Sequence, residues 1–336
     1  MFKSCLLGCG PRARGHARAY QHVKKARLEA ICDKDPDRLK AFAQEFGIER
    51  TYADLREMLE REKPDLLHVV TQPTQRVEFF ELAAQTDLPA MLIEKPLALD
   101  ASDFNAIAAI SPRLKTRVCV NHQLRFHPKV LELLEVVRSG EIGDLRFVEG
   151  SARLGLAGQG THVLNLMFAF AGSHPKSVFG QVGGKDKWMG NTHRCPDLAF
   201  GELDFGHCRG LLACGQNAPP ASDREALHMH KRVAVFGTRG FVHWKMEAWE
   251  LFTPERGYHS GEKSYRDEDV LGQAAMTDAI FDWLEDDAKP HPNRLEVSLA
   301  ESNTVLGIYQ SALTRRPVAL PFEPQGSLLD ALEPQL

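Results

Sequence analysis

Short apolar runs alternate with helical stretches from residue 2 to about residue 121, and this alternation constrains the fold more than any other feature. The runs expected to form strands are 2–7, 28–32, 50–52, 66–70, 90–93 and 117–120. Such a rhythm is typical of parallel β-α-β units whose helices cover both faces of one sheet. Residues 1–121 are therefore predicted to form a doubly wound parallel α/β domain.

The pattern changes after residue 121, where β-like runs follow one another with few helices between them. After a helix at 128–139, the expected strands are 145–153, 177–181, 198–205, 209–214, 232–236, 240–244 and 249–252. Helices at 270–285 and 296–314 follow, and residues 326–336 are either a loose tail or an arm that packs on another subunit. Residues 122–336 are predicted to form an α+β domain with a mostly antiparallel open sheet.

Composition excludes several classes of partner. The 336 residues include 41 lysines and arginines against 45 aspartates and glutamates, so nucleic acid is not expected to bind. No apolar run approaches the roughly 20 residues that a spanning helix needs, so no membrane association is expected. Seven cysteines without a C-x-x-C pair indicate a reduced protein of the cytoplasm. The histidines and cysteines of the second half lack ligand spacing, and no metal is predicted.

The first apolar run ends in a glycine-rich turn, Gly-Cys-Gly-Pro-Arg-Ala, over residues 8–13. Glycines in such a turn let the backbone approach a pyrophosphate where a helix begins. A tight turn without a ligand is one alternative. A methyltransferase loop is another, but it would need an acidic residue at Leu6 and a glycine at Arg12. The turn therefore favours a dinucleotide site that includes Gly8, Gly10, Arg12 and Ala13.

Asp33 supports a Rossmann-type dinucleotide site because it ends the second predicted strand, 20 residues beyond Ala13. A carboxylate there can accept hydrogen bonds from the adenine ribose hydroxyls. It would repel a ribose phosphate, so NAD is predicted in preference to NADP. Lys34 and Arg12 could offset that repulsion in part, and NADP stays open as the alternative.

Polar residues also follow the other parallel strands at the ends where ligands of such sheets bind. Thr71 and Pro73 follow the fourth strand, Glu94-Lys95-Pro96 follows the fifth, and Asn121 follows the sixth. Thr71, Pro73, Glu94, Lys95 and Asn121 are therefore predicted to line the cofactor crevice.

The glycine-rich turn together with Glu94-Lys95-Pro96 resembles the Gfo/Idh/MocA family of glucose-fructose oxidoreductases and inositol dehydrogenases. The resemblance implies hydride transfer between a nicotinamide and a sugar, polyol or sugar derivative. It also implies that Lys95 lies beside the nicotinamide and exchanges the proton of the substrate hydroxyl. The family's second domain binds substrate, and its sheet commonly builds homodimers or homotetramers.

A second family element, Asp-x-Gly-x-His, is matched only in part. The sequence reads Gly-Gln-Gly-Thr-His over residues 158–162, so His162 matches and Gly158 replaces the aspartate. The resemblance implies that His162 binds substrate and handles protons. The role of the missing carboxylate is left to Gln159, Arg153 or water.

Two further groups are substrate candidates. Gln159, His162 and Asn165 recur every third residue and predict one polar edge on an otherwise apolar helix, although a satisfied core histidine is the alternative. The resemblance also implies an arginine near cofactor and substrate just after the sixth strand, and Arg125 is favoured for that role. His122 and His127 either line the cleft or, as is favoured, only cap the following helix and bind water.

Arg76 stands where many family members have histidine. It is expected to be a helix-surface charge unless it tunes the cofactor pocket.

Three functions remain compatible with the sequence. The leading prediction is an NAD(P)-dependent oxidoreductase of sugars or polyols. A nucleotide-binding regulator that has lost its chemistry is the second, because Gly158 replaces the family aspartate. The third is an enzyme that oxidises, eliminates and re-reduces its substrate without net consumption of NAD.

Overall fold

A computed structural model of the chain describes residues 1–184, 193–216 and 218–336. Its strands are β1 Phe2–Leu7, β2 Ala26–Cys32, β3 Arg50–Tyr52, β4 Leu66–Val69, β5 Ala90–Ile93, β6 Arg117–Val120, β7 Leu145–Ala152, β8 Ser177–Gly183, β9 Leu198–Asp204, β10 Arg209–Gly215, β11 Lys231–Gly237, β12 Phe241–Lys245, β13 Ala248–Thr253, β14 Gly257–Glu262 and β15 Val318–Ala319. Its α-helices are α1 Ala13–Ala19, α2 Pro36–Phe46, α3 Leu55–Glu62, α4 Arg76–Gln85, α5 Ala101–Ile110, α6 Pro128–Arg138, α7 Thr161–Ala171, α8 Tyr265–Glu285, α9 Leu295–Thr314 and α10 Leu328–Leu332. None of these helices is long and apolar enough to cross a membrane.

The first compact unit contains residues Met1–Leu97, Ala106–His127 and Asp269–Ser298. Its sheet has the order β3-β2-β1-β4-β5-β6 with every pair parallel. Strands β4 and β5 are buried along their whole length, which explains why they read as continuous apolar runs. The predicted doubly wound parallel sheet is confirmed. Its strand order reverses between β1 and β4, where ligands of such sheets bind.

The second compact unit contains residues Ala98–Asn105, Pro128–Glu268 and Leu299–Leu336. Its sheet has the order β14-β13-β12-β11-β7-β10-β9-β8-β15, and among its pairs only β7 with β10 is parallel. The predicted mostly antiparallel sheet is confirmed. The chain enters each unit more than once, and a domain boundary between residues 121 and 122 stays a prediction.

Two strands of this sheet were not predicted. β14 is Gly-Tyr-His-Ser-Gly-Glu, and none of its residues is buried, so it lacks the apolar alternation that identifies a strand. β15 has only two residues. Both lie at the edges of the sheet, where pairing with one neighbour suffices to form them.

Helix α7 lies directly on the central strand β7, and Gly150 allows this close approach. A Cβ atom at Gly150 would lie 2.5 Å from Val163 Cγ1 and 2.6 Å from Met167 Sδ. The opposite face of the sheet carries a row of aromatic side chains in direct cross-strand register. The row consists of Phe147, Phe236, Phe241, Phe252 and Tyr258.

The C-terminal residues pack on the second unit of this same chain. Asp100 accepts hydrogen bonds from Ser327 Oγ at 2.5 Å and from the Leu328 backbone N–H at 3.0 Å. Leu328, Leu329 and Leu332 of α10 are buried. Residues 328–332 are therefore neither a loose tail nor dependent on another subunit for burial.

Candidate functional site

The turn after β1 requires glycine at residue 8. Gly8 has φ +92°, and a Cβ atom there would lie 2.4 Å from the backbone oxygen of Val70. A side chain would therefore force β1 and the end of β4 apart. Gly10 differs, because a Cβ atom there would meet no described atom within 4 Å. The fold therefore requires glycine at residue 8, whereas glycine at residue 10 leaves open space at the turn.

Asp33 is held in a fixed orientation at the end of β2. Its Oδ2 accepts a hydrogen bond from the Cys9 backbone N–H at 2.7 Å, and its Oδ1 accepts one from Asp35 N–H at 2.9 Å. Arg38 donates through Nη2 to Oδ1 at 3.1 Å. Burial would raise the pKa of Asp33, but Arg38 and the two N–H groups outweigh it and the pKa is lowered. The carboxylate is therefore ionised, and the glycine turn is tied to it.

Glu94, directly after β5, accepts three hydrogen bonds on one oxygen. Its Oε1 lies 2.8 Å from Arg12 Nε, 3.0 Å from His16 Nε2 and 2.6 Å from Asn121 Nδ2. Burial opposes ionisation, but Arg12 and His16 outweigh it and hold the pKa of Glu94 well below its usual value. The structure thus brings together Arg12, Glu94 and Asn121, which were predicted on separate segments of the chain.

Lys95 follows Glu94 and has a lowered pKa. Burial is the main cause, Glu94 opposes it, and the cations Arg12 and Arg76 add to it. A lysine whose pKa is lowered exchanges protons more readily near neutral pH than an exposed lysine. Lys95 therefore has the electrostatic surroundings that a general acid or base requires.

Arg76 is buried, and its expected role as a helix-surface charge is wrong. Only 1% of the residue is exposed, and burial lowers the pKa of its guanidinium to about 10. Its N–H groups donate to the backbone oxygens of Thr71, Gln72 and Pro96 at 3.1–3.3 Å. The guanidinium can be buried because carbonyls from the segments after β4 and β5 accept its hydrogen bonds. The same hydrogen bonds fix the segment that carries Thr71 and Pro73.

The residues after β6 make contacts within the same unit. Arg125 donates through Nη1 to the Pro292 carbonyl at 3.1 Å, and the His122 carbonyl accepts from Asn293 Nδ2 at 3.0 Å. His127 is buried, with Nε2 3.5 Å from Asp269 Oδ1. The substrate role of Arg125 stays a prediction.

In the second unit, Gly158 lies in a wide helical turn, Leu156–Gly160, that leads into α7. A Cβ atom at Gly158 would meet nothing within 4 Å, whereas one at Gly160 would lie 2.6 Å from Cys214 Sγ. Packing therefore requires glycine at residue 160, whereas a Cβ atom at residue 158 would contact none of the described residues.

A buried carboxylate that the sequence reasoning missed lies beside this segment. Glu301 of α9 accepts a hydrogen bond from Asn165 Nδ2 at 2.6 Å, and both residues are buried. Asn165 and His162 are one turn apart on α7, and His162 is also buried. The available signal was a single acidic residue in the middle of the apolar segment that forms α9. Arg153, one of the predicted substitutes, donates through Nε to the Gln216 carbonyl at 3.0 Å.

Residues 1–184, 193–216 and 218–336 contain no group of three or more histidine, cysteine, aspartate or glutamate side chains that could hold a metal ion. The absence of a metal requirement stays a prediction.

The strand order, the glycine turn and the oriented Asp33 define the first unit as a dinucleotide-binding Rossmann domain. Residues 2–122 match the family model described as "Oxidoreductase family, NAD-binding Rossmann fold". This match identifies residues 2–122 as an NAD-binding domain of the Gfo/Idh/MocA oxidoreductase type.

Curated relatives agree with this assignment. The D-apiose dehydrogenase of Paraburkholderia graminis is 36% identical over 142 residues, which are 42% of this chain and 38% of that protein. The rhizopine catabolism protein MocA of Rhizobium meliloti is 26% identical over 257 residues, 72% of this chain and 77% of that protein. The chain spans 38–41% of the length of the two D-apiose dehydrogenases that it matches.

Solved structures share the fold over nearly the whole chain. An oxidoreductase from Agrobacterium radiobacter, in complex with NAD⁺, L-tartaric acid and magnesium, has a TM-score of 0.80 at 21% identity and covers 95% of this chain and 98% of its own. A levoglucosan dehydrogenase in complex with NADH has a TM-score of 0.79 at 14% identity, covering 95% and 99%. At these identities the likeness shows the fold.

Proposed function

We propose that this protein is an NAD-dependent oxidoreductase that transfers a hydride between the nicotinamide and a sugar, polyol or sugar derivative. The observation that carries the proposal is Lys95, which has a lowered pKa and follows the triply hydrogen-bonded Glu94 at the end of β5. Relatives named as sugar and polyol dehydrogenases support the substrate class.

The residues of the first unit fit an NAD molecule. The space above Gly10 accommodates close approach to the turn, and the ionised Asp33 accepts hydrogen bonds from ribose hydroxyls. Gly8, Gly10, Arg12, Ala13, Asp33, Thr71, Pro73, Glu94, Lys95 and Asn121 are proposed as the cofactor-binding residues. NAD, when bound, accepts or returns the hydride.

Lys95 is proposed as the proton donor and acceptor. In the oxidation direction, the neutral amine takes the proton of the substrate hydroxyl. The hydride leaves the carbon that bears this hydroxyl, so a carbonyl forms. In the reduction direction, the ammonium returns the proton to the alkoxide oxygen. The lowered pKa increases the share of neutral amine near neutral pH relative to an exposed lysine.

His162 is proposed as a second proton-handling residue, and Arg125, Gln159 and Asn165 as substrate contacts. Gly158 replaces the family aspartate. The buried carboxylate of Glu301 contacts Asn165, which lies one helical turn from His162 on α7. We therefore propose Glu301, rather than Gln159, Arg153 or water, as the acidic partner of this segment.

The open face of the second unit's sheet is proposed as the interface of a homodimer or homotetramer. The ring centroids of neighbouring phenylalanines in its aromatic row lie 6.2–6.4 Å apart, and Tyr258 lies 6.5 Å from Phe241. Phe236, Phe252 and Tyr258 are 39%, 37% and 59% exposed. A continuous exposed apolar row of this kind is typical of a contact surface. All seven cysteines are free and buried, which agrees with a reducing cytoplasm as the proposed compartment.

The replacement at Gly158 keeps a second function open, a nucleotide-binding regulator without turnover. Both functions are tested by following nicotinamide absorbance with NAD and NADP against a panel of sugars, polyols, keto-sugars and sugar acids. Turnover that disappears in Lys95→Met supports the oxidoreductase. Tight NADH binding with no turnover on any compound, and no conversion of glycosides by catalytic NAD, would favour the regulator.

A further inference from the structure

Glu94 is the end of a chain of buried side chains that crosses the first unit. Its Oε1 lies 3.0 Å from His16 Nε2, and His16 Nδ1 lies 3.0 Å from His68 Nδ1. The other nitrogen of that ring, His68 Nε2, lies 2.8 Å from Tyr20 Oη. Helix α1, strand β4 and the segment after β5 thus contribute to one continuous set of contacts.

The protons of this chain can be placed from elementary chemistry. Both histidines are completely buried, and burial lowers the pKa of each, so both rings are neutral. Ionised Glu94 can only accept, so His16 carries its proton on Nε2 and its Nδ1 accepts. His68 must then donate through Nδ1 and accept at Nε2. Tyr20 therefore donates its hydroxyl proton to His68, and every hydrogen bond points toward Glu94.

A second branch ends on the same carboxylate oxygen. Arg12 Nη2 donates to Gln273 Oε1 at 3.1 Å, and Gln273 Nε2 donates to Asn121 Oδ1 at 3.1 Å. Asn121 in turn donates to Glu94. Hydrogen bonds that all run in one direction polarise one another, so each branch strengthens the donor that reaches Glu94.

We propose that Tyr20, His68 and His16 are positioning residues that fix the carboxylate of Glu94 beside Lys95 through a one-way hydrogen-bond chain. This inference rests on the proposed function, in which Lys95 transfers the proton. Glu94 raises the pKa of Lys95, whereas Arg12 and Arg76 lower it. Because the negative charge of Glu94 favours the ammonium form, the orientation of this carboxylate affects how strongly that form of Lys95 is stabilised.

A nitrogen-15 NMR spectrum of the histidines tests the chain without any turnover. The expected result is a neutral His68 with its proton on Nδ1 and a neutral His16 with its proton on Nε2. Assignments come from comparison with His16→Gln and His68→Gln. A His68 proton on Nε2, or a charged ring at either residue near pH 7, would overturn the proposed direction of the chain.

The positioning role is tested with Tyr20→Phe, which removes the hydroxyl that donates to His68. When the chain is broken, more of the Glu94 charge is available to Lys95. We therefore expect the acid limb of the pH profile of kcat/KM for oxidation to move to higher pH by about half a unit or more, with NADH affinity unchanged. Tyr52→Phe is the matched control, because it removes a hydroxyl that donates to Glu62 in the same unit but outside this chain of contacts.

Conservative and disruptive changes at His68 separate positioning from simple packing. Glutamine can donate to His16 and accept from Tyr20, so His68→Gln should keep the acid limb of the pH profile at its wild-type position. His68→Leu should move this limb. A lowered melting temperature in Tyr20→Phe and His68→Leu with an unmoved limb would overturn the positioning role. If no substrate turns over, the proposed function fails, while the tautomer spectrum still decides whether the chain exists.

Discussion

Arg38 lies against the carboxylate of Asp33, with Nη2 3.1 Å from Oδ1 and Nε 3.4 Å from Oδ2. The side chain expected to accept hydrogen bonds from a ribose is therefore in direct contact with a cation. More than half of the Arg38 side chain remains exposed, so its guanidinium can turn toward a ligand. This pair places a group that disfavours a ribose phosphate beside one that would bind it.

Replacement of Asp33 is expected to change the choice of cofactor. In Asp33→Ala the repulsive carboxylate is lost and Arg38 is released to bind a 2′-phosphate, so the ratio of kcat/KM for NADP over NAD should rise by about 10-fold or more, roughly 1.4 kcal/mol. Steady-state kinetics with both cofactors measure the ratio. Adding Arg38→Gln to this variant should reverse most of the gain. An unchanged ratio in Asp33→Ala would contradict the role of Asp33.

Gly8 and Gly10 should respond differently to alanine. Gly8→Ala places a Cβ atom 2.4 Å from the Val70 carbonyl at φ +92°, and we expect it to lower the free energy of unfolding by about 1–3 kcal/mol. Gly10→Ala meets no described atom and should unfold like the wild type while binding NADH more weakly. Denaturant titration and calorimetric NADH titration measure the two effects. Wild-type NADH affinity in Gly10→Ala would argue against this turn as the pyrophosphate site.

The fold could be predicted further than the site because the two depend on different kinds of information. Strands such as β4 and β5 are runs of consecutive apolar residues, so the sequence predicted their positions and the parallel sheet directly. The contact between Arg12 and Glu94, by contrast, joins residues 82 positions apart, and only the rule about strand ends indicated that they would approach.

Buried polar residues were the weakest point of the sequence reasoning. Arg76 reads as an exposed helix residue because its acceptors are backbone oxygens, which every residue carries and no sequence pattern marks. Glu301 is similar, since its partner Asn165 belongs to a helix that is distant in sequence. Side chains that depend on one particular tertiary partner leave little local signal.

Lys95→Met should lower kcat by about 10²–10⁴-fold, the range typical of a lost general acid or base, while NADH still binds. Because the pKa of Lys95 lies below its ordinary value, the neutral amine needed for oxidation accumulates at lower pH than for a free lysine. The oxidation rate should therefore rise, and the reduction rate fall, as pH increases through that lowered pKa. Rates in both directions from pH 5 to pH 10 provide the measurement. A wild-type rate in Lys95→Met would exclude the role.

Glu301→Gln tests the proposed carboxylate of the second unit. The amide keeps the size of the side chain but removes its charge, so we expect kcat/KM to fall by about 10-fold with NADH affinity unchanged. Glu296→Gln is the matched control, because Glu296 begins the same helix and its side chain is 70% exposed. Equal activities of the two variants would remove Glu301 from the site.

Gly158→Asp restores the residue that the family pattern carries. A Cβ atom at this position meets no described atom within 4 Å, so the variant should fold with a melting temperature close to that of the wild type. Gly160→Ala is the contrasting change, because its Cβ atom would lie 2.6 Å from Cys214 Sγ and should destabilise the turn. If Glu301 already serves as the carboxylate, the added aspartate should not raise kcat/KM in the wild-type background. It should recover part of the activity lost in Glu301→Gln. If Gly158→Asp folds normally but recovers no activity in Glu301→Gln, an aspartate at residue 158 cannot replace the carboxylate of Glu301.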